Sequence, residues 1–123
     1  MKKILIVEDE PMCLELLTSQ LTEEGYKVIE AINGKKGLEK VKKEHPDLII
    51  LDIKMPVMDG ITMLDLVRKE KVGKKVKVII LTNLELEEKA IAKIISDQPL
   101  YYFIKSDIQF SDLLNKIKEI LTE

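Results

Sequence analysis

Residues 48–60 read LIILDIKMPVMDG, an apolar run that ends in the carboxylate of Asp52. Three further apolar runs end at polar groups in the same way: residues 4–7 at Glu8-Asp9-Glu10, residues 78–81 at Thr82, and residues 102–104 at Lys105. If these runs are parallel strands, the polar groups meet at one edge of a sheet. Ligands of open parallel sheets bind at the carboxyl ends of the strands. The sequence therefore predicts a functional site at that edge.

The composition is that of a folded globular chain with an aliphatic core. Of the 123 residues, 46% are hydrophobic, 34% are charged and 4% are aromatic, which suits one domain over residues 1–123. The net charge of -2 gives no overall attraction to nucleic acid or to an anionic membrane. Lysines cluster at residues 35–43 and 74–77, and we interpret both clusters as solvated faces.

The single cysteine and the short apolar runs indicate the cellular location of the protein. A single cysteine, Cys13, excludes an intramolecular disulfide and argues against a thiolate metal site. No apolar stretch reaches the length of a membrane span, and the run at residues 4–7 is too short for a signal peptide. We expect a cytoplasmic protein without membrane insertion, in which Cys13 is a packing residue.

Short apolar runs alternate with amphipathic segments, which is the pattern of repeated βαβ units. The predicted strands are residues 3–7, 27–31, 47–51, 76–81 and 101–104. Five helices are predicted from apolar residues at helical spacing: Leu14, Leu17 and Leu21; Leu38 and Val41; Ile61, Leu64 and Val67; Ala90, Ile91, Ile94 and Ile95; and Leu113, Leu114, Ile117, Ile120 and Leu121. The sequence therefore predicts an α/β fold with a doubly wound, five-stranded parallel sheet.

Local signals refine this prediction. Pro11 suits the start of the first helix and Gly25 its end, and Asn33 can cap the second helix. The third strand is apolar on both faces, as a central parallel strand is, whereas the second is more polar and suits an edge.

The acids after the first strand suit a divalent cation better than a phosphate-binding loop. The chain has neither a glycine-rich dinucleotide fingerprint nor a Walker lysine. Adjacent carboxylates repel a phosphate unless a cation lies between them, and hard oxygen ligands at this density suit Mg²⁺. We therefore interpret Asp9 as a metal ligand, and Glu10 as an ordinary acid in the first turn of a helix.

Asp52 can be an ordinary acid at a strand end, but its neighbours point to phosphorus chemistry. A carboxylate close to a second carboxylate and a cation can attack phosphorus and form an acyl phosphate. A lysine and a hydroxyl would then bind the phosphoryl oxygens, and Lys105 and Thr82 are placed to do so. Taken singly, Lys105 can also be a surface lysine and Thr82 the cap of the fourth helix.

These residues resemble the receiver domain of bacterial two-component response regulators over essentially the whole chain. The resemblance is carried by Ile4-Leu5-Ile6-Val7-Glu8-Asp9-Glu10, Asp52-Ile53-Lys54-Met55-Pro56, Asp59-Gly60, Thr82 and Lys105. It implies a flavodoxin-like (βα)5 fold with strand order 2-1-3-4-5. It also implies that Asp52 accepts a phosphoryl group from a phosphohistidine of a sensor histidine kinase or phosphotransfer protein. Mg²⁺ would be held by Asp9, Asp52 and the backbone carbonyl of Lys54, with Glu8 assisting through water.

The resemblance further implies a signalling switch rather than an enzyme. Tyr102 lies where receivers carry an aromatic residue that turns inward when Thr82 moves toward the phosphoryl group, although Tyr102 can equally be a packing residue. Phosphorylation would shift the population of two arrangements of the face formed by the fourth helix, fifth strand and fifth helix. With no output domain expected in residues 1–123, the output would be a separate effector protein, a homodimer or onward phosphoryl transfer.

Four features beside the site depart from the family pattern. Ser106 stands where proline is usual, and because a cis bond before a non-proline residue costs about 3 kcal/mol, we do not assume one there. Asn83 replaces a small residue, and residues 98–101 replace a Gly-Ala stretch. Neither Lys54 nor Leu84 can orient an attacking water, which predicts a long-lived phosphoryl state.

Two other classes remain open. The first is a pseudo-receiver, a binding module that works without phosphorylation; the departures favour it, whereas intact Asp9, Asp52, Thr82 and Lys105 argue against it. The second is an aspartyl-phosphate hydrolase of the haloacid dehalogenase type. That class requires a second aspartate two residues after the nucleophile, where this chain has Lys54.

Overall fold

The structure, a computed structural model, describes residues 1–83, 96 and 101–122. Within them the strands are β1 (Lys3–Val7), β2 (Lys27–Ala31), β3 (Leu48–Leu51), β4 (Lys77–Thr82) and β5 (Tyr101–Ile104). The helices are α1 (Pro11–Glu23), α2 (Gly34–Glu44), α3 (Gly60–Lys69) and the C-terminal helix (Phe110–Leu121). The predicted fourth helix, with Ala90, Ile91, Ile94 and Ile95, lies outside the described residues.

The five strands form one parallel sheet in the order β2-β1-β3-β4-β5. The predicted fold class and strand order are therefore confirmed. All four residues of β3 are buried at the centre, and β2 lies at an edge with Lys27 and Glu30 exposed. Val7 pairs with Leu51, and Thr82 pairs with Ile104. Because the strands end in register, the residues that follow them meet at one edge.

Alternate residues of the strands divide the core into two layers. Leu5, Val7, Ile49, Leu51, Val78 and Ile80 pack with α2 and α3. Ile4, Ile6, Leu48, Ile50, Ile79 and Leu81 pack with α1 and the C-terminal helix. Both faces of the central strands are covered, which explains why they read as continuous apolar runs rather than alternating ones. No helix in the described part of the chain is long and apolar enough to cross a bilayer.

Two strands begin one residue later than predicted. Asp47 directly precedes β3; its N–H donates to the Lys3 carbonyl at 2.9 Å, and its carboxylate accepts from the Lys3 N–H at 2.8 Å. The fourth strand runs from Lys77 to Thr82 rather than from Val76 to Leu81. Thr82 is thus part of the sheet, and the fourth helix that it would cap lies outside the described residues.

The helix signals agree with the structure, and the buried face of α3 includes Met63 in addition to the predicted residues. The Asn33 side chain accepts a hydrogen bond from the Lys36 N–H, as a helix cap does. Gly25 follows α1 with a φ of +96°, a conformation that glycine adopts without strain. In α3 the buried residues are Gly60, Met63, Leu64 and Val67, whereas Ile61 is only half-buried.

Candidate functional site

The structure brings the predicted site residues together at the carboxyl edge of the sheet. Glu8 and Asp9 follow β1, Asp52 follows β3, Thr82 ends β4, and Lys105 follows β5. An open cavity of about 420 Å³ is lined by Asp9, Glu10, Asp52, Lys54, Thr82, Asn83 and Lys105. The edge that the sequence indicated is therefore a concave site with acidic, hydroxyl and ammonium groups.

Three carboxylates form the acidic part of this site. The ligand atoms of Glu8, Asp9 and Asp52 all lie within 4.8 Å of one another. Glu8 and Asp52 are buried, and Asp9 is exposed toward the opening. A donor set made only of oxygen, open on one side, fits Mg²⁺, which keeps several waters when it binds to proteins. The acidic cluster could therefore hold a metal ion.

Lys105 supplies the positive charge of the site. Its ammonium group contacts a Glu8 carboxylate oxygen and lies 3.3 Å from Asp52 Oδ2. Burial by itself lowers the pKa of Lys105, but the hydrogen bond to Glu8 and the charge of Asp52 raise that pKa above its ordinary value. The Lys105 N–H also donates to the Thr82 carbonyl at 2.9 Å. Lys105 therefore stays protonated beside Asp52.

Glu8 is more deeply buried than the sequence indicated, with 2% of its surface exposed. Burial, with a smaller contribution from the hydrogen bond to Asp52, raises the pKa of Glu8 to about 7. The strand alternation could have found this position, since Glu8 continues the series Ile4 and Ile6 that faces α1 and the C-terminal helix. Its predicted role through water stays a prediction.

The loop that carries Asp52 is positioned by α3. Asp52 Oδ1 accepts a hydrogen bond from the Ile53 N–H at 2.7 Å, and the Gly60 N–H donates to the Ile53 carbonyl at 2.7 Å. A Cβ atom at Gly60 would lie 2.0 Å from the Asp52 carbonyl oxygen, so only glycine permits this approach. Asp59 caps α3 by accepting from the Thr62 N–H at 2.8 Å. The Asp59-Gly60 pair thus positions the loop.

The predicted switch residues lie on neighbouring strands. Thr82 is 1% exposed at the end of β4, and Tyr102 pairs with Ile80 across β4 and β5. Tyr102 is 37% exposed, and partial burial raises the pKa of its hydroxyl above the ordinary value. In the structure Thr82 is therefore buried and Tyr102 is partly exposed.

The structure describes some of the residues that depart from the family pattern. Asn83 is exposed and lines the site, and the Lys54 side chain is exposed as well. The described residues contain no cis peptide bond, so the bond before Ser106 is trans. Leu84 and residues 98–100 lie outside the described residues.

Cys13 lies closer to the site than the sequence indicated. The thiol is half-buried. Burial, together with a hydrogen bond to Glu8, raises the pKa of Cys13 to about 12. A thiol with that pKa stays protonated at neutral pH and is a poor nucleophile, which agrees with the interpretation of Cys13 as a packing residue.

Comparison with known proteins identifies the family. Residues 4–118 match the family model of the response regulator receiver domain. The chain is 43% identical over 81 residues to sporulation initiation phosphotransferase F of Bacillus subtilis (strain 168), covering 66% of this chain and 64% of that protein. It is 33% identical over 120 residues to transcriptional regulatory protein GlrR of Escherichia coli (strain K12), covering 98% of this chain and 26% of that protein. The chain thus spans less than two thirds of either relative.

Solved structures agree with this assignment. Response regulator protein TrrA of Thermotoga maritima, solved in complex with Mg²⁺ and BeF, is 38% identical with a TM-score of 0.82, covering 98% of this chain and 100% of that one. A CheY-like receiver domain protein of Methanospirillum hungatei JF-1 is 33% identical with a TM-score of 0.87, covering 97% of this chain and 92% of that one. Receiver domains are signalling domains of two-component systems rather than classical enzymes, and an acidic cluster such as that of Glu8, Asp9 and Asp52 is typical of their phosphorylation site. The chain belongs to the response regulator receiver domain family.

Proposed function

We propose that this chain is a phosphorylation-dependent signalling switch in which Asp52 accepts a phosphoryl group in the presence of Mg²⁺. The arrangement around Asp52 carries the proposal. One carboxylate oxygen accepts from the Ile53 N–H, and the other lies 3.3 Å from Lys105 Nζ. Two further carboxylates, Glu8 and Asp9, lie beside it. A buried carboxylate beside an ammonium group and two further carboxylates is suited to accept a phosphoryl group, whereas an ordinary surface acid would be solvated.

The residues divide the chemistry of transfer between them. Asp9, Asp52 and the backbone carbonyl of Lys54 would hold Mg²⁺, with Glu8 assisting through water, and the ion would neutralise charge that gathers on the phosphoryl oxygens. An oxygen of Asp52 attacks the phosphorus of a phosphohistidine as the P–N bond breaks, and the imidazole takes the electron pair of that bond. Lys105 and the Thr82 hydroxyl bind the phosphoryl oxygens and hold them in place.

The switch would transmit the modification through β4 and β5. Thr82 moves toward the phosphoryl group, and Tyr102 on the neighbouring strand turns inward into the space that this movement opens. The surface that changes is made by the segment between β4 and β5, by β5 and by the C-terminal helix. We infer that a sensor histidine kinase or phosphotransfer protein supplies the phosphoryl group. The reader of that surface would be a separate effector or a second copy of the chain.

The test is the intact mass of the chain after incubation with Mg²⁺ and acetyl phosphate. The unmodified chain should gain one phosphoryl group, and Asp52→Asn and a chelated sample should gain none. Asp107→Asn is the matched control, because Asp107 is an exposed acid on the loop after β5, and it should be labelled normally. Labelling of Asp52→Asn would refute the assignment. Absence of labelling and of beryllofluoride binding in every sample would favour a pseudo-receiver.

We also propose that the acyl phosphate is long-lived. Neither Lys54 nor Leu84 has a carboxamide or carboxylate that could orient a water for attack on phosphorus. The mass gain should therefore persist after acetyl phosphate is removed. Introducing such a group with Lys54→Asn should shorten the lifetime, and a half-life of seconds in the unmodified chain would contradict the proposal.

A further inference from the structure

A second cavity lies at the opposite, amino-terminal edge of the sheet, and its walls are basic. This cavity of about 480 Å³ is lined by five lysines, Lys2, Lys71, Lys74, Lys75 and Lys77, and by one acid, Asp47. The lysines come from the amino terminus, the loop between α3 and β4, and the start of β4. We call this cavity the basic pocket. A chain with a net charge of -2 therefore concentrates positive charge at one place.

Two acids close to the basic pocket have partners other than its three loop lysines, Lys71, Lys74 and Lys75. The Asp47 carboxylate accepts a hydrogen bond from the Lys3 N–H at 2.8 Å, and Glu70 forms an ion pair with Lys42 at 3.3 Å. Within the described part of the chain, no ion pair involves the three loop lysines, Lys71, Lys74 and Lys75. Among the described residues, these three lysines therefore lie around a concave surface without a carboxylate at ion-pair distance.

The loop that carries these lysines has a fixed backbone. The Arg68 guanidinium donates to the carbonyl oxygens of Gly73, at 3.0 Å, and Val76, at 2.7 Å. Gly73 packs so closely on α3 that a Cβ atom would lie 2.2 Å from the Val67 carbonyl oxygen. A pre-formed loop loses less conformational entropy when a ligand binds to its side chains. The lysines are therefore carried by a loop whose backbone is held by hydrogen bonds and close packing on α3.

We propose that the basic pocket binds a compact multivalent phosphate of the triphosphate class, a role that the lysine pattern at residues 74–77 does not indicate without the cavity. Lysine is a point-charge binder of phosphate groups, and three lysines on one loop can share the charges of one triphosphate. The pocket volume lies in the range of about 300–1,000 Å³ that small-molecule sites occupy. Val72, Val76 and Leu121 provide an apolar wall beside the lysines. The acidic site at the far edge repels the same anion, which directs it to this end of the molecule.

The test is calorimetric titration of the full chain with inorganic triphosphate and, separately, with ATP. EDTA is present so that no metal ion bridges the anion to the acidic site. The pocket variant is Lys71→Gln/Lys74→Gln/Lys75→Gln. The matched control is Lys35→Gln/Lys36→Gln/Lys40→Gln on α2, which removes the same charge outside the basic pocket. Thermal unfolding of both variants establishes that they are folded.

We expect saturable binding of one anion per chain, weakened at least about tenfold in the pocket variant because charge-assisted hydrogen bonds are lost. The control should bind as the unmodified chain does. Equal affinity for the two anions would mean that the phosphates alone are recognised, and tighter binding of ATP would mean that the apolar wall contacts the base. The proposal is overturned if neither anion binds saturably, or if the control loses as much affinity as the pocket variant.

Discussion

Replacing Glu8 by glutamine should change how the stability of the metal-free chain depends on pH. The Glu8 side chain is 3% exposed. Burial, helped by Asp52, raises the pKa of Glu8 from 4.5 to about 7. A group whose pKa is raised by folding binds its proton more tightly in the folded chain than in the unfolded chain. Protonated Glu8 therefore favours the folded state, and ionised Glu8 opposes it.

The magnitude follows from the pKa difference. The contribution to stability is fully present below about pH 4.5 and is lost as the pH rises through about 7. At about 1.4 kcal/mol for each pH unit, this interval corresponds to about 3 kcal/mol of unfolding free energy. Glutamine has a similar shape and no titrating proton, so the unfolding free energy of Glu8→Gln should not include this loss. Relative to the unmodified chain, the variant should gain up to about 3 kcal/mol between pH 4.5 and pH 8.

The assay is urea unfolding in EDTA, followed by circular dichroism at several pH values across that interval. Comparing the variant with the unmodified chain at each pH cancels the titration of the groups that do not interact with Glu8. Glu10→Gln is the matched control, because Glu10 is an exposed neighbouring acid, and it should follow the unmodified chain at every pH. If the difference between Glu8→Gln and the unmodified chain is the same at both ends of the interval, the reasoning from burial is wrong.

Three further substitutions test the loops around the site. Gly60→Ala should destabilise the chain by at least about 2 kcal/mol and reduce labelling of Asp52, because the new Cβ would lie 2.0 Å from the Asp52 carbonyl oxygen; normal stability in urea would contradict this contact. Asn33→Ala should cost about 1 kcal/mol in the same assay, because the cap bond from the Lys36 N–H is lost, while labelling persists. Val57→Gly should stabilise the chain by about 1 kcal/mol, because Val57 is exposed and β-branched with a φ of 70°; a loss of stability would refute the strain.

The strands could be predicted from the sequence because the sheet is covered on both faces. Each central strand is then a short apolar run with a polar residue at its end, and the predicted bounds differ from the observed ones by one residue at most. The order of the strands in the sheet could not be predicted in this way, because no local pattern records which strands become neighbours. The resemblance to the receiver family implied that order, and the observed order β2-β1-β3-β4-β5 confirms it.

The buried face of α3 shows where the helical pattern was ambiguous. Ile61 and Met63 are both apolar, and helical spacing allows either to share a stripe with Leu64 and Val67. Packing against α2 buries Met63 completely, while Ile61 packs half-buried against the same core. A Cβ atom at Gly37 would lie 2.7 Å from Met63 Sδ, so the missing side chain in α2 provides the space that Met63 occupies. The full burial of Met63 depends on a contact between two helices, which neither helix specifies alone.

For the site, the sequence by itself determined the chemical groups and the edge at which they gather, because residues that follow parallel strands necessarily share one edge. Only the tertiary structure decided their environments. Glu8 and Lys105 are 97 residues apart in the chain and in contact in the fold. Burial and the nearby Asp52 together raise the pKa of Glu8 to about 7. Desolvation and charge proximity act through distances in space, and the order of residues along the chain does not record those distances.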